Sequence, residues 1–237
     1  MNTFYISFDD TDNLNSPGTG HILAEFLESL SWKNSFISRH QLFVSPNVPY
    51  TSHNSSMVSI LVGEISYEDL IAKASAHLEQ TFAPGADPGL CVAKADEILF
   101  PEKLVKWGYR AKKEVLTKEE AYALAKECGV HLSEHGGTGQ GVVGALAAVG
   151  LRLAGQDGRV KGKRAVEGSC MTVGALLEQT GFQRVCAYGQ GTLGIDEIVH
   201  VTEKKVKAVY QNFASTVLTV NRDGEYWVLT KDELKCY

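Results

Sequence analysis

The feature that most constrains the fold is a short apolar strand that runs directly into three aspartates. Residues 3–8 are apolar and aromatic, which is typical of a buried strand, and Asp9, Asp10 and Asp12 follow at once. Apolar residues then recur at helical spacing over residues 18–30. The chain therefore begins with strand, acidic loop and helix, and open α/β sheets bind ligands beyond the carboxyl ends of their strands.

Three carboxylates on one turn repel one another and raise one another's pKa unless a cation lies between them. Magnesium prefers hard oxygen ligands and often takes one or two carboxylates together with substrate phosphates. We therefore predict Asp9, Asp10 and Asp12 as metal ligands, with Asp9 and Asp10 also catalytic. Thr11 is either a turn residue or a hydroxyl ligand in the cofactor site. The alternative is that these side chains cap the following helix or form Asx turns.

A second loop, at residues 136–141, is rich in glycine and precedes an alanine-rich helical pattern. Small residues let the backbone approach an anion, and the N–H groups at a helix start point towards it. The segment lacks the Gly-Lys-Ser/Thr ending of a Walker A motif, and no clear strand leads into it as in a dinucleotide fingerprint. We predict that Gly137, Gly139 and Gly141 bind a phosphate-bearing cofactor. A tight turn with glycines chosen for helix packing is the alternative.

The histidine and cysteine patterns offer little support for zinc. His131 and His135 are four residues apart and could share a zinc ion on a helix, but the glycines that follow argue against a helix. The five cysteines are scattered and form no Cys-x-x-Cys pair. This pattern argues against both a zinc ribbon and a disulfide framework.

Composition limits the partners and the compartment. The net charge of −5 weakens the case for RNA binding, although basic stretches at 103–113 and 159–164 leave it open. No apolar run approaches the ~18 residues that span a bilayer. The N-terminus also lacks the basic start and apolar run of a signal peptide. We expect a cytoplasmic protein without a membrane partner.

The remaining patterns predict a mixed succession of helices and strands, with a polar linker or domain boundary at residues 156–168. Ser66 and Thr117 are predicted N-caps, and Glu120 completes a capping box with Thr117. Arg222-Asp223-Gly224 is a predicted hairpin turn. The predicted helices are 67–82, 101–110, 118–128, 142–153 and 173–179, and the predicted strands are 36–44, 56–62, 90–93, 185–188, 197–207, 215–221 and 225–230.

Four segments, taken in order, resemble the archaeal tRNA-isoleucine 2-agmatinylcytidine synthetase family. They are ISFDDTDN at 6–13, NVPY at 47–50, DPGL at 87–90 and GQGVVGALAAVG at 139–150. Together they cover roughly the first two-thirds of the chain and are far more specific than any one of them.

The resemblance implies a mixed α/β, or α+β, architecture with two domains. A kinase-like α/β domain would span residues 1–160, and a small ferredoxin-like α+β domain would span residues 161–237. The OB-fold and zinc ribbon of the family are expected to be absent. The family uses ATP and magnesium to activate a wobble cytidine, which agmatine then attacks. By resemblance, the three aspartates would hold magnesium on the ATP phosphates, with Gly139 and Gly141 in the nucleotide site.

The chain departs from the family pattern at two places that matter for catalysis. The threonine that the family autophosphorylates falls near His21, so either Thr19 or His21 is the catalytic replacement or the covalent step is absent. The family's Lys-Thr-Arg segment is replaced here by Thr51-Ser52-His53. Lys161, Lys163 or Arg164 is predicted to supply the missing cationic contact to the cofactor.

The leading hypothesis is an ATP- and magnesium-dependent phosphoryl-transfer or ligase-type enzyme related to that synthetase. It would act on a small molecule, or on an RNA that a partner delivers, because the acidic charge and the missing modules make direct tRNA binding doubtful. The alternative is a non-catalytic nucleotide-binding sensor or subunit, favoured by the loss of the threonine and of the Lys-Thr-Arg segment. A homodimer is left open.

Overall fold

The structure is a computed structural model that describes residues 1–30, 32–46 and 54–236, and the chain divides into two units, Met1–Ala154 and Gly155–Tyr237. Both units mix helices with strands, which confirms the predicted mixed α/β class. The assignment of a kinase-like domain and a ferredoxin-like domain remains a prediction.

Two sequence features that carry the family resemblance cannot be followed in the structure. The motif at 47–50 and the substituted segment at 51–53 lie outside the described residues.

The first unit contains six strands and five helices among its described residues. The strands are β1 (Asn2–Asp9), β2 (Lys33–Asn34), β3 (Ser38–Gln41), β4 (Ser55–Gly63), β5 (Gly89–Lys94) and β6 (His131–Glu134). The helices are α1 (Thr19–Ser29), α2 (Tyr67–Thr81), α3 (Pro101–Ala111), α4 (Lys118–Cys128) and α5 (Gly141–Ala154).

The strands of the first unit form an antiparallel sheet in the order β6-β5-β1-β4-β3, with β2 also paired to β4. Side chains alternate between the two faces along each strand. Phe4, Ile6 and Phe8 of β1 therefore share one face, where they pack with apolar residues of α1 and α2. The opposite face packs against α3, α4 and α5. The sheet is thus covered by helices on both sides.

Local capping signals fix several helix starts as predicted. The Ser66 hydroxyl accepts a hydrogen bond from the Asp69 amide at the start of α2. Thr117 and Glu120 form both hydrogen bonds of the predicted capping box of α4. Each such cap typically contributes about 1 kcal/mol to stability. The predicted positions of these helices are confirmed.

Two predictions for the strands of the first unit need correction. The strand predicted at 36–44 is shorter and covers only Ser38–Gln41, the part that pairs with β4. The prediction that no strand leads into the glycine-rich loop is wrong, because His131–Glu134 forms β6 immediately before it. This strand exists through its pairing with β5, a contact that a local pattern does not reveal.

The second unit contains ten short strands and one α-helix among its described residues. The helix is α6 (Val173–Thr180). The strands are β7 (Arg159–Val160), β8 (Arg164–Ala165), β9 (Cys170–Thr172), β10 (Arg184–Ala187), β11 (Gly191–Thr192), β12 (Ile198–His200), β13 (Lys205–Val206), β14 (Val209–Gln211), β15 (Ala214–Arg222) and β16 (Glu225–Val228).

Within this unit, strands follow the order β7-β14-β15-β16-β12-β9, and β10 pairs with β15 in parallel and with β11. The predicted hairpin turn between β15 and β16 is confirmed, with φ of 53° at Asp223 and 91° at Gly224. The segment 156–168, predicted as a linker or domain boundary, is not a linker, because it contains β7 and β8, but the boundary between the two units lies just before it, after Ala154. These two strands pair with β14 and β13.

The strand predicted at 197–207 is also wrong as a single element. Its first part pairs with β16 and β9, whereas its last part forms β13 and pairs with β8. The polar residues 202–205 separate the two parts, and the two parts have different partners. No helix among the described residues is both long enough and apolar enough to cross a bilayer.

Candidate active site

The acidic loop begins with an abrupt change of backbone direction at Asp10. This residue has a φ of 49°, in the left-handed region that aspartate tolerates better than most non-glycine residues. Asp9, the last residue of β1, is only 9% exposed. A Cβ atom at Gly144 of α5 would overlap its Oδ2. The absence of a side chain at Gly144 therefore leaves room for the Asp9 carboxylate.

Thr11, Asp12 and Thr19 form a buried hydrogen-bond network that ties the loop to the first turn of α1. The Thr19 hydroxyl donates to Asp12 Oδ1 at 2.8 Å, and the Thr19 amide lies 3.3 Å from the same oxygen. The Thr11 hydroxyl donates to Thr19 Oγ1 at 3.1 Å. Asp12 thus performs the helix-capping role that was the alternative for this loop. Its role as a metal ligand remains a prediction.

The two predicted replacements for the family's threonine lie in different surroundings. Thr19 is buried inside the network just described. His21 lies on the exposed face of α1, where its Nε2 is 3.3 Å from Glu25 Oε1. The structure therefore brings Thr19, and not His21, into contact with the acidic loop.

The register of the sheet brings the acidic loop beside the glycine-rich loop. Asp9 at the end of β1 pairs with Gly89 at the start of β5, and Gly89 pairs with Glu134 at the end of β6. The loops that follow β1, precede β5 and follow β6 consequently meet at one end of the sheet. We call Asp9, Asp10, Asp12 and Asp87 at this end the acidic edge.

Asp87 holds the glycine-rich loop in place. Its Oδ1 accepts a hydrogen bond from the Thr138 amide at 2.6 Å, and its Oδ2 accepts one from the Thr138 hydroxyl at 2.5 Å. Its backbone carbonyl accepts a hydrogen bond from the Gly141 amide at 3.1 Å. A carboxylate therefore already uses some of the N–H groups that were predicted to meet a phosphate. This arrangement is the one expected if residues 136–141 form a tight turn, which was the alternative to phosphate binding.

Backbone conformation and close packing explain why glycine occupies several positions of this loop. Gly137 and Gly139 have φ of 56° and 77°, in the region that favours glycine. A Cβ at Gly137 would overlap the Asp87 carboxylate, and one at Gly141 would overlap the Asp87 carbonyl. Gly141 also lies against the Asp9 carbonyl. The first turn of α5 is thus packed directly on the backbone of the acidic edge, while phosphate binding by these glycines stays a prediction.

Burial and mutual repulsion make the acidic edge electrostatically unfavourable. Burial, with repulsion from Asp10 and Asp12, raises the pKa of Asp9 well above its usual value, although a hydrogen bond from the Asp10 backbone lowers it. Burial, with repulsion from Asp87 and Asp12, raises the pKa of Asp10 to about 6. A cation bound here would stabilise the ionised forms of both groups.

The described residues contain no group of three or more His, Cys, Asp or Glu side chains arranged to hold a metal ion. Magnesium needs fewer protein ligands than this, because it often keeps several waters and takes one or two carboxylates besides substrate phosphates. Asp9 and Asp10 supply two adjacent carboxylates at the end of β1, so they meet that requirement by chemistry. The roles of Asp9, Asp10 and Asp12 as magnesium ligands remain predictions.

The predicted cationic contacts lie in the second unit. Lys161 follows β7, and Lys163 precedes β8. The Lys163 ammonium forms an ion pair with Glu203 at 3.0 Å. Their contact with a nucleotide remains a prediction, and the structure gives Lys163 an acidic partner that the sequence did not reveal.

The two histidines considered for zinc lie on a strand and the residue after it, not on a helix. Ser133 Oγ lies between them, 2.9 Å from His131 Nε2 and 2.8 Å from His135 Nε2. His135 Nδ1 lies 3.5 Å from Glu79 Oε1. Burial, together with the nearby His135, lowers the pKa of His131. These side chains form a hydrogen-bonded row along the edge strand of the sheet.

Asp87 is the residue of this site that was missed by the sequence-based assignment. A signal was present, because Asp87 opens the DPGL segment that resembles the family. Its role depends on the register between β1, β5 and β6, which brings it to Asp10 and Thr138. A proline and a glycine directly after an aspartate predict only a turn.

The fold and the site define a mixed α/β protein with a carboxylate cluster against the start of a glycine-rich helix. No family model matches the chain. The chain is similar to the isoleucine-tRNA 2-agmatinylcytidine synthetase TiaS of Pyrococcus horikoshii, with 26% identity over 155 residues. That alignment covers 63% of this chain and 36% of the relative. The resemblance predicted from the four motifs is confirmed.

Solved structures with this fold carry the same name. The complex of TiaS with its tRNA and ATP matches with a TM-score of 0.55 and 21% identity over 73% of this chain and 39% of that chain. The complex of TiaS with its tRNA, AMPCPP and agmatine matches with a TM-score of 0.55 and 17% identity over 73% of this chain and 42% of that chain. The chain thus spans well under half the length of the proteins it matches.

Proposed function

We propose that the chain is an ATP- and magnesium-dependent enzyme of the ligase type, related to the agmatinylcytidine synthetase. The observation that carries this proposal is the meeting of Asp9, Asp10 and Asp87 with the glycine-rich start of α5 at one end of the sheet. Similarity to a protein solved in complex with ATP supports nucleotide binding by this chain.

Asp9 and Asp10 are the proposed magnesium ligands. Both carboxyls have raised pKa values in the metal-free protein, so ionisation costs free energy that a bound cation would offset. When bound, magnesium neutralises negative charge on the ATP phosphates. The protein contributes orientation, because Asp9 ends β1 and the backbone turns at Asp10, where φ is 49°.

Thr19 is the proposed reactive or positioning hydroxyl in place of His21. Its Oγ1 donates a hydrogen bond to Asp12 Oδ1 and accepts one from the Thr11 hydroxyl. If the Thr19 hydroxyl attacks the γ-phosphate of ATP, the bond to the bridging oxygen breaks and ADP leaves, while Asp12 Oδ1 is placed to take the Thr19 proton. His21 points away towards Glu25 and has no corresponding contact.

A tRNA is the proposed acceptor, with a small amine as the second substrate. One complex of the similar proteins contains a tRNA, AMPCPP and agmatine. The doubt about direct tRNA binding, which rested partly on net charge, is not supported by these complexes. Residues 1–154 carry 12 Lys and Arg against 18 Asp and Glu, whereas residues 155–237 carry 11 against 10. The acidic excess therefore resides in the first unit and does not describe the whole surface.

Turnover with labelled substrates tests the proposal. The protein is incubated with ATP labelled at the α or γ position, magnesium, tRNA transcripts and agmatine, and AMP, ADP, protein-bound phosphate and modified tRNA are followed. We expect ATP cleavage that requires magnesium and is stimulated by the tRNA. Nucleotide binding without cleavage under every combination would instead support the non-catalytic sensor.

Asp10→Asn isolates the metal role. We expect it to abolish magnesium-dependent ATP binding or cleavage, because the neutral amide is a much weaker ligand for a hard cation. Asp96→Asn is the matched control, since Asp96 is exposed in the turn after β5 at the opposite end of the sheet. Unchanged nucleotide affinity in Asp10→Asn, with magnesium present, would reject the assignment.

A further inference from the structure

The hydrogen-bonded row on β6 contains a serine that no step of the proposed reaction uses. Ser133 Oγ lies 2.8 Å from His135 Nε2, and His135 Nδ1 lies 3.5 Å from Glu79 Oε1. A hydroxyl within hydrogen-bond reach of a base, with the base oriented by a third group, is the arrangement that activates serine as a nucleophile. Such contacts are often long before a substrate binds and shorten in the complex. The three side chains therefore have the order and spacing of a Ser-His-Glu triad.

The sheet register and helix α2 bring these side chains together. Ser133 pairs with Leu90 of β5, and Leu90 belongs to the apolar face that packs against α1 and α2. Residues that pair across neighbouring strands project to the same face, so Ser133 lies on the α2 side of the sheet. Glu79 reaches His135 from the last turn of α2. The triad is thus assembled from a strand end and a helix that are distant in sequence.

The Glu79 carboxylate determines the direction of the hydrogen bond between Ser133 and His135. A carboxylate only accepts hydrogen bonds, so in the neutral imidazole of His135 the hydrogen belongs on Nδ1, which faces Glu79. Nε2 of the same ring then carries a lone pair, and the Ser133 hydroxyl donates to it. This tautomer is the one in which His135 can take the proton of the serine.

A second histidine lies on the other side of the serine hydroxyl. His131 Nε2 is 2.9 Å from Ser133 Oγ. The hydroxyl has one hydrogen, which it donates to His135, so Nε2 of His131 is the donor in this second hydrogen bond. Burial, together with the nearby His135, lowers the pKa of His131 and favours its neutral form. An N–H group this close to the attacking oxygen can stabilise the oxyanion that forms on the carbon bonded to it.

The surroundings of the row suit a small uncharged substrate. Ser133 and His131 are half-buried, whereas the side chain of His135 is only 7% exposed. A Cβ at Gly136 would lie 3.0 Å from the Phe82 ring, so an apolar ring lies directly beside the residue that follows His135. The carboxylate of Glu79 disfavours an anionic group at this place. A carboxylic ester with a short apolar acyl group fits these features.

We propose that Ser133 and His135 form an esterase site, with Glu79 as the positioning residue of His135. Ser133 Oγ forms a bond to the ester carbonyl carbon while His135 Nε2 takes the hydroxyl proton. The bond between that carbon and the alcohol oxygen then breaks, and His135 returns the proton to the departing alcohol. Water attacks the acyl-serine with His135 as base, the bond to Oγ breaks, the carboxylic acid leaves, and Ser133 regains its proton. The site does not depend on nucleotide binding at the acidic edge.

Covalent labelling and ester hydrolysis by the whole protein test the proposal. A fluorophosphonate probe should form an adduct on Ser133, which peptide mass spectrometry locates. Hydrolysis of p-nitrophenyl acetate should show a burst of nitrophenol that matches the amount of protein, because the acyl-serine accumulates. Ser133→Ala should lose both the adduct and the burst, and Ser75→Ala, which removes a half-buried serine of α2, should keep both. An unlabelled Ser133 in the unmodified protein, or hydrolysis that survives Ser133→Ala, would overturn the proposal.

Substitutions of the base and of its carboxylate separate their roles. His135→Gln keeps a hydrogen-bond partner for Ser133 but cannot take a proton, so kcat should fall by roughly 10²–10⁴-fold. Glu79→Gln should lower kcat at least roughly tenfold with little change in KM, and Glu79→Asp should restore part of the loss. Glu68→Gln, which changes an exposed glutamate of the same helix, is the matched control. An unchanged kcat in Glu79→Gln would show that the carboxylate does not position His135.

Discussion

At the scale of single residues, Asp10 has two properties that disfavour the fold of the metal-free protein but suit the proposed metal site. Its backbone has a φ of 49°, and burial with repulsion from Asp87 and Asp12 raises its pKa to about 6. Neither property favours the fold of the metal-free protein. Both properties suit a proposed metal ligand. The positive φ fixes the backbone that carries the carboxylate, and the raised pKa means that a bound cation would strongly favour the ionised form.

The raised pKa of Asp10 predicts the pH dependence of stability. The folded carboxyl keeps its proton up to about pH 6, whereas the carboxyl of the unfolded chain, with the ordinary aspartate pKa of 3.8, loses it earlier. The metal-free protein should therefore lose stability as pH rises from about 4 to about 7, and the raised pKa of Asp9 acts in the same direction. For Asp10, a partly exposed group, we expect about 1–2 kcal/mol.

Thermal unfolding in the presence of a chelator measures this effect at pH 5 and pH 7.5. The decrease in melting temperature between the two values should be smaller by a few degrees in Asp10→Asn than in the unmodified protein. Asp96→Asn should behave like the unmodified protein. An equal decrease in all three proteins would show that Asp10 is ionised throughout this range.

At the scale of elements, local signals and long-range pairing determine different parts of the fold. Helices α2 and α4 begin where Ser66 and Thr117 place their caps, so the sequence alone predicts them. Strands β6 and β7 were missed, because they are short and exist through pairing with distant partners. The three aspartates after β1 were predicted from their junction with a strand, whereas the contribution of Asp87 requires knowledge of the register.

The glycine-rich loop offers a prediction at this scale. Asp87→Ala removes both acceptors of Thr138, so amide hydrogen exchange of residues 138–140 should accelerate by roughly tenfold. Asp87→Asn keeps one carbonyl oxygen for the Thr138 amide and should retain most of the protection. Mass spectrometry of exchanged peptides measures both. If residues 138–140 exchange as slowly in both variants as in the unmodified protein, another contact orders the loop.

At the scale of the whole molecule, the two units differ in charge. The excess of acidic residues belongs to residues 1–154, while residues 155–237 are close to neutral and contain the basic stretch at 159–164. Lys163 is paired with Glu203, so its charge is partly compensated within the unit. Net charge taken over the whole chain therefore hides the difference between the two units, and the basic stretch at 159–164 is the part for which we propose contact with RNA phosphates.

The salt dependence of tRNA binding tests the role of this basic stretch. Replacing Lys161, Lys163 and Arg164 together by alanine should weaken tRNA binding and reduce the slope of log K against log salt by about 2–3, or less because of Glu203. Filter binding at several salt concentrations measures the slope. Replacing Lys33, Lys73 and Lys126, which are exposed and lie outside both basic stretches, is the matched control and should leave the slope unchanged. A weaker affinity for ATP with an unchanged tRNA slope would instead support the predicted contact of Lys161 and Lys163 with the cofactor.

The packing of α5 has a consequence for how the first unit responds to a ligand. Gly141 meets the Asp87 and Asp9 carbonyls at one end of the helix, and Gly150 meets the Leu104 carbonyl near the other. Main chain lies against main chain there, so no rotamer change can absorb a displacement. Helix α1 is joined to the acidic loop by hydroxyl and carboxylate hydrogen bonds, which rearrange more easily. Ligand-driven movement should accordingly begin at the Thr19 end of α1, with α5 as the stationary reference.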